Sequence, residues 1–591
     1  MGKDWISLST EALNRYCHRF YAGTTIIVTF VSMKRNNLPV TLLVTFFLSL
    51  YIAPTALAQS ENKEQRERKE YYEALQVTGT ILSGVQNYFV DTIALPKVHA
   101  LGMNAMLQRL DPYTEYMTPE EAKAFREATS GSYAGIGAII NQRPDSVVVI
   151  NEPMQGQPAD KAGLKTGDRI LEIDGKDFRK STSTVVSKAL RGEDGTTITV
   201  KVLRRGEQTP RTFTFERKRI SVNSVAFADF IEDGMGYIAL SSFTQDSGKD
   251  VKQAIKNLKE KALLKSLILD LRSNGGGVLQ SAVEILGLFL PKGSKVLDVK
   301  GRNISTNASY STTDTPMVED VPLVVMINDE SASASEIVAG ALQDHDRAVI
   351  VGEKSFGKGL VQSTLVTPGN GLLKLTTAHY YIPSGRSIQK INYNHLGSTE
   401  LIKTDTVGIP FQTLGGRKVY ASGGITPDVD LSADTLAGVV TFFAIDTLVA
   451  DYVTDYVRTH PKMVQADRFR LSDAEYEEFI RHLEKNKFSY KTGSTFYLDK
   501  VEELIRRERL YAVAETEIEA LRKKIASDVR RDATLFKEDI KQYIEGQIVR
   551  IAYYREGYYR YILPQDKQLK SVRELLANPK RYQQILHPAK T

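Results

Sequence analysis

The 591-residue chain is 42% apolar and 25% charged, with 20 proline and 41 glycine residues, a composition that excludes a disordered, collagen-like or multi-span membrane protein. Its formal charge of +6 falls to +3 once residues 1–58 are set aside, because five basic and two acidic side chains lie there; that surplus is too weak to favour nucleic acid as a partner. The single cysteine, Cys17, sits in the same segment, so disulfides, thiol catalysis and cysteine zinc sites are excluded downstream of it.

Residues 34–58 carry the pattern of a secretory signal. Lys34 and Arg35 precede the apolar run LPVTLLVTFFLSLYIAP (38–54), and Ala56-Leu57-Ala58 fits small-x-small cleavage before Gln59. The apolar run is shorter than the ~20 residues of a spanning helix, so cleavage is expected over membrane anchoring. Residues 1–32 precede this signal and Met33 is the expected start. The expected location is the bacterial periplasm, as a soluble mature chain.

Length predicts three or four domains. Residues 60–128 read as helical: charged EQRERKEYYEAL is followed by apolar residues at i, i+3 and i+4. RLDPYTEYMTPEE (109–121) interrupts them with turns at Pro112 and Pro119. From 130 to 220 the runs YAGIGAII, SVVVINE, DRILEIDG and TTITVKVLRRG, with one helical stretch TSTVVSKALRG (182–192), predict a small β-rich module. Between 222 and 431 the buried strands SLILDLR, PLVVMIND and RAVIVGE alternate with helical runs, predicting an α/β layer. Residues 432–591 are charged, amphipathic helix, suited to packing or to an oligomer or adaptor surface.

The chemistry-bearing residues concentrate in NDESASASEIVAGALQDHDRAVIVGEKSFGKGLVQ (328–362). A buried strand runs through small residues into a helix, which exposes a serine where helix-start N–H groups favour developing negative charge. Ser331, Ser333 and Ser335 compete for that position, with helix capping as the alternative role. The base is a histidine or a lysine. His345, between Asp344 and Asp346, follows the helix and belongs at its far end; His379 lies in the strand-like LLKLTTAHYYI. Lys358 sits in the tight loop Phe356-Gly357-Lys358-Gly359, and a lysine in an apolar pocket loses proton affinity and serves as a general base near neutral pH. Gln362 is placed to orient that amine through its amide oxygen. GEKSFGKG is not a phosphate loop, because Gly359 follows Lys358. In SLILDLRSNGGG a buried strand breaks at three glycines, which lets backbone approach a reacting carbonyl.

Residues 328–362, together with TTAHYYIPSGRSIQ (376–389), GGITPDVDL (423–431), LDLRSNGGG (269–277) and LDPYTEYM (110–117), resemble the carboxyl-terminal processing, or tail-specific, serine proteases over roughly residues 75–432. The resemblance implies Ser333, the middle serine of S-A-S-A-S-E, as nucleophile, Lys358 as its base and Gln362 as support. It implies an oxyanion hole from the amides of Ala334 and Gly276, with Gly277 as the near alternative. Gly275 stands where the family often carries proline, which loosens that turn. The implied α/β multidomain fold has a helical N-terminal region (60–128), a PDZ-like domain (130–220) inserted before a protease core with a crotonase-like layered sheet (222–431), and a helical C-terminal extension (432–591). PADKAGLKTGDRILEIDGKDF (158–178) carries the PDZ resemblance. Gly135, Ile136 and Gly137 would then hold a substrate's terminal carboxylate through backbone N–H groups, with the peptide added beside residues 138–141. The expectation is an exported serine endopeptidase for proteins or peptides with apolar C-termini, without metal or cofactor. The alternatives are a catalytically silent scaffold and a serine hydrolase acting on a non-peptide ester or cell-wall component.

Overall fold

The computed structural model describes residues 40–393, 402–403, 408–421, 423–432 and 436–588, with 40–62 and 402–403 as backbone only. Cys17, Met33, Lys34 and Arg35 lie outside the described residues, as does the side-chain pattern of the expected signal. The chain divides into two units, residues 1–99 and 100–591. In the first, α1 (Val40–Tyr88) passes through the backbone of Ala56-Leu57-Ala58 without a break. Its charged stretch pairs Lys63 with Glu67, Arg66 with Glu70 and Lys69 with Glu73, all exposed, contacts worth a few tenths of a kcal/mol each, ~0.2–0.5. Among the described residues no helix is long and apolar enough to cross a membrane.

A second helix, α2 (Leu95–Leu107), leads to the LDPYTEYM stretch. Sequence predicts turns there; the structure adds a strand, β1 (Glu115–Met117). The Asn104 side chain bonds both the N–H and the C=O of Tyr116, and β1 finds its ladder on a strand of the α/β region far along the chain. Helix α3 (Pro119–Ser130) follows, capped by a reciprocal Thr118 and Glu121 pair with Pro119 in the first turn.

The β-rich module holds β2 (Ser132–Gly135), β3 (Ala138–Gln142), β4 (Val148–Pro153), the short α4 (Pro158–Ala162), β5 (Arg169–Ile173), α5 (Ser183–Leu190), β6 (Thr197–Leu203), β7 (Arg211–Glu216) and β8 (Lys218–Ser221). Strands β3-β4-β5-β6-β7 form one antiparallel sheet, and β2 pairs with β8. Alternation in β6 turns Ile198, Val200 and Val202 into a core with Ile150, Ile170 and Val186. As the first strand of its sheet, β3 keeps one edge unpaired among the described residues.

The next segment contributes β9 (Val225–Glu232), β10 (Met235–Leu240), α6 (Ser247–Lys261), β11 (Ser266–Asp270), α7 (Leu279–Leu286), β12 (Lys295–Gly301), β13 (Ala308–Ser311), β14 (Leu323–Ile327), α8 (Ala334–Asp344), β15 (Val349–Gly352), β16 (Leu360–Val366), β17 (Leu372–Tyr381) and β18 (Val429–Asp430). The main sheet runs β9-β10-β11-β14-β15-β18, parallel from β10 onward. Its central strands are buried along their whole length, the mark of a sheet covered on both faces. Helices α6, α7 and α8 cover one face with Val251, Ile255, Ile285, Ile337 and Leu342. A second, antiparallel layer runs β1-β17-β12-β13, with β16 on the other edge of β17.

The C-terminal region contributes α9 (Gly438–Ile445), α10 (Thr447–Thr459), α11 (Asp473–Lys485), α12 (Gly493–Arg507), α13 (Tyr511–Ile525), α14 (Val529–Leu535), α15 (Lys537–Ile562), α16 (Lys567–Leu576) and α17 (Pro579–Leu586). It has a core of its own around Phe443, Phe479, Ile544 and Ile548. Its last helices do more than extend the chain. Leu569, Val572, Leu575, Tyr582 and Leu586 lie on Tyr237, Ile268, Val324, Met326 and Val351, covering the main sheet's second face. The Tyr582 hydroxyl accepts from the N–H of Leu323 and donates to its C=O. Helix α15 is kinked at Tyr554, φ 58°. Around the kink it grips the β-rich module, through Arg550 to Glu152 and Tyr554 Oη to Asp160. Beyond it, Tyr559 stacks on Phe227 and Arg560 pairs with Asp229 of the core.

Candidate active site

Burial and hydrogen bonding separate the three serines. Ser331 Oγ donates to the C=O of Leu271 at 2.8 Å and Ser335 Oγ to the C=O of Asn274 at 2.7 Å; both residues are fully buried. Ser333 alone of the three is partly accessible. It caps α8 at φ 56°, ψ −112°, a conformation that costs a non-glycine residue on the order of 1–3 kcal/mol and that structures hold at functional turns.

Glu336 ties this turn to the lysine loop. Its Oε2 accepts the N–H groups of both Ser333 (2.8 Å) and Lys358 (2.9 Å), and its Oε1 accepts Ser355 Oγ (2.6 Å) and the Gly357 N–H (2.7 Å). Burial pushes the Glu336 carboxyl up, and the bonds it accepts pull against that shift. The Tyr380 hydroxyl, in the core beneath, lies 2.7 Å from the C=O of Lys358 and 3.3 Å from that of Ser333. Sequence analysis did not single out Glu336, although S-A-S-E is a capping-box spacing.

The Lys358 amine lies 4.3 Å from the centre of the Tyr113 ring. Burial lowers its pKa to about 8, aided by the nearby charge of Lys374 and opposed by Glu336 and Asp111. Tyr113 arrives through the unforeseen strand. Asp111 Oδ1 accepts the N–H groups of Tyr113 and Thr114, its Oδ2 accepts Thr114 Oγ1, and β1 then anchors the loop on β17. The available signal was the Asp111-x-x-Thr114 turn chemistry inside LDPYTEYM.

Gln362, expected to orient the lysine amine, instead donates through Nε2 to Thr376 Oγ1 at 3.1 Å. The Thr376 N–H in turn donates to Thr114 Oγ1, so the Gln362 amide nitrogen is linked through Thr376 to the Tyr113 loop. The histidines stand apart. His345 follows the eleven-residue α8, about 16 Å from its start, and its Nε2 bonds the C=O of Lys295. Asp344 is paired with Arg386 and Asp346 with Arg417. His379 faces solvent beside inward-facing Tyr380 on β17.

The glycine turn abuts the serine. A Cβ on Gly276 (φ 90°) would lie 2.5 Å from the C=O oxygen of Ala332, 2.8 Å from Ala334 N and 2.9 Å from Ser333 Cβ, so only glycine fits. The Gly276 N–H, expected to face an oxyanion, donates to Asn274 Oδ1 at 2.9 Å. Asn274 is fully buried, with its Nδ2 on the C=O of Leu240 and its own C=O accepting the Ala332 N–H. Its short amide competes for the donor that the bare glycine run was read as offering. Gly277 packs against the Phe243 carbonyl. Ala334 opens α8, where N–H groups lack intrahelical partners. At Gly275 a Cβ meets open space and φ is not left-handed. Gly275→Ala is therefore expected to stabilise the protein by about 0.4–1 kcal/mol through the unfolded state, read as a higher urea midpoint at unchanged slope.

In the β-rich module, Gly135 closes β2, Ile136 is buried in the core and Gly137 turns at φ 69°. The carbonyls of Ile136 and Gly137 accept the N–H groups of Ala159 and Met154. The loop opens directly onto the unpaired edge of β3, which α5 borders through the Ser183 N–H on Gln142 Oε1. These three residues lie in a different module from Ser333. Among the described residues, no group of three or more His, Cys, Asp or Glu side chains is arranged to hold a metal.

Residues 234–395 match peptidase family S41, residues 132–214 match the PDZ domain, and residues 443–576 match the family described as "Probable PDZ-protease, C-terminal helical domain". The carboxy-terminal-processing protease of Bartonella bacilliformis is 36% identical over 352 residues, 59% of this chain and 80% of that protein. The carboxyl-terminal-processing protease of Synechocystis is 38% identical over 291 residues, 48% of this chain and 67% of that protein. Among solved structures, a photosystem II D1 C-terminal processing protease shares 27% identity, covering 59% of this chain and 90% of its own, at a TM-score of 0.31.

Proposed function

We propose, because the chain belongs to the carboxy-terminal-processing serine proteases of peptidase family S41, that it cleaves peptide bonds with Ser333 as nucleophile and Lys358 as base, in proteins delivered by their C-termini. One observation supports the dyad: a half-buried lysine with a pKa near 8 whose backbone N–H shares a carboxylate oxygen with that of a partly accessible, strained serine. Neutral Lys358 takes the Ser333 hydroxyl proton as Oγ attacks the carbonyl carbon. The resulting oxyanion is met by the Ala334 N–H and by the Gly276 N–H, which leaves Asn274 Oδ1 as the carbonyl arrives. Protonated Lys358 then gives its proton to the leaving amine, and a water deprotonated by the same amine hydrolyses the acyl-enzyme. Gln362 supports this arrangement through Thr376 and the Tyr113 loop.

The PDZ domain takes the substrate's free C-terminus. Gly135, Ile136 and Gly137 supply the carboxylate loop, and the unpaired edge of β3 accepts the preceding residues as an added strand, with apolar side chains favoured. The basic and apolar run at 34–54, followed by Ala56-Leu57-Ala58, supports export to the periplasm with cleavage before Gln59. The exposed Phe496, Tyr497 and Val513 of α12 and α13 support a self-association or adaptor surface there.

The test uses residues 59–591 and one unfolded model protein carrying either a free apolar C-terminus or a charged one, with Ser333→Ala as control. Cleavage of the apolar-tailed form only, lost in the control, is the expected result. Equal cleavage of both removes the PDZ domain's assigned role, and cleavage surviving Ser333→Ala removes the nucleophile.

A further inference from the structure

A cleft of about 760 Å³ opens between α3, the β2 strand of the PDZ domain and β16 of the protease core. Lys123 and Arg126 of α3, Arg191 after α5 and Arg219 of β8 line it, against a single lining carboxylate, Glu127. Glu127 is already committed to Arg191, whose guanidinium also covers the Tyr133 ring at 5.0 Å. Arg126 reaches the C=O of Asn370, and Arg219 touches Ser132 Oγ. The nearby Asp194 carboxylate accepts the backbone N–H of Arg219. No ion pair joins Lys123, Arg126 or Arg219 to an acidic side chain among the described residues. The cleft therefore has a surplus of exposed positive charge, unusual on a chain whose net charge is small.

Its position gives that charge a use. One wall is β2, which ends at Gly135, the first residue of the proposed carboxylate loop. The opposite wall includes Thr364 and Val366 of β16, the strand that starts two residues after Lys358. Gln245, also lining, lies two residues from Phe243, which bridges to Gly277 of the glycine turn. The cleft's walls thus include the strand that leads into the proposed carboxylate loop and the strand that follows the lysine loop. Along it, β16 offers an edge that is unpaired among the described residues, with Leu365 and Val366 exposed, and an extended chain can add to such an edge at ~3.3 Å per residue.

We propose that this basic cleft selects substrates with acidic side chains in the stretch between the bound C-terminus and the cleaved bond. The inference rests on the peptidase reading above and adds a charge preference to its apolar-tail preference. Long-range attraction between an acidic stretch and the three basic side chains that have no carboxylate partner among the described residues, Lys123, Arg126 and Arg219, raises local substrate concentration and is weakened by salt.

The experiment compares three peptides that share an apolar C-terminus and a cleaved sequence and differ only in a spacer containing Glu, Gln or Lys. The full chain is assayed for kcat/KM, and the Ser333→Ala protein for Kd by fluorescence anisotropy. The Glu spacer is expected to exceed the Lys spacer about tenfold in both readouts at low salt, with the gap closing toward about 0.5 M salt. The charge-reversed double variant Lys123→Glu, Arg219→Glu, both at exposed positions, is expected to invert the order. Equal Kd values for Glu and Lys spacers, or an order unchanged by charge reversal, overturns the proposal. If no peptide is cut, the peptidase reading fails, while the anisotropy series still decides whether the cleft prefers acidic chains.

Discussion

Lys358→Ala is expected to lower kcat by at least about 10⁴-fold, since the serine hydroxyl then has no base to take its proton. The fold should survive, because the Lys358 amine makes no ion pair among the described residues and lies over the Tyr113 ring. The same lysine sets the pH dependence. In the proposed dyad the free amine is the active form, and burial with the Lys374 charge lowers its pKa to about 8. Below that value the protonated fraction takes over, so kcat/KM should fall roughly tenfold per pH unit on the acid side and level off above it. Lys374→Gln removes one of the influences that depress the lysine, so the acid limb should move to higher pH. Profiles of kcat/KM between about pH 5.5 and 10 on a single peptide check both statements. Activity retained in Lys358→Ala and lost in His345→Ala would point instead to a histidine-based triad.

A chain ending at Ile562 is expected not to fold. Truncation removes Leu563, Leu569, Val572, Leu575, Tyr582 and Leu586, all buried against the main sheet. At ~1.5–3 kcal/mol per buried apolar side chain, the loss is about 10 kcal/mol or more, comparable to the whole stability of a typical protein. The milder Tyr582→Phe leaves the Leu323 N–H and C=O without their shared hydroxyl and should cost about 1–3 kcal/mol, visible as a lower Tm. Soluble truncated protein with an unaltered melting transition would make the C-terminal helices a dispensable appendage.

Much of the core was legible because its strands are apolar along their whole length and are bounded by turns. SLILDLR, PLVVMIND and RAVIVGE carry β11, β14 and β15, and TSTVVSKALRG contains α5. The antiparallel layer was harder to read. β1 has three residues and too short a pattern to declare itself, and its partner lies beyond the whole PDZ domain. The tail's amphipathic periodicity announced a buried face without naming what it meets, since helical spacing carries no information about the partner surface. At the site, the competing serines were left unresolved by sequence because their difference lies in carbonyls contributed by Leu271 and Asn274, some 60 positions upstream. Glu336 was hidden in plain view: three residues from Ser333 it reads as an ordinary cap, and only the fold shows that it also holds the lysine loop. The bond from the Gly276 N–H to Asn274 was illegible for the opposite reason, since Asn274 is a local polar neighbour whose rotamer no periodicity encodes.

The ladder between β1 and β17 joins Glu115 to Lys374 across 259 positions. During synthesis the first of these segments emerges long before the second, and closing so long a loop is slow relative to local folding. Until it closes, Tyr113 is not over the amine, Lys358 is open to water, and a hydrated lysine keeps its ordinary affinity for a proton. A chain in which β1 has not docked thus lacks one wall of the pocket that lowers the lysine's affinity for a proton. Strand order thus sets the earliest moment at which that wall can form.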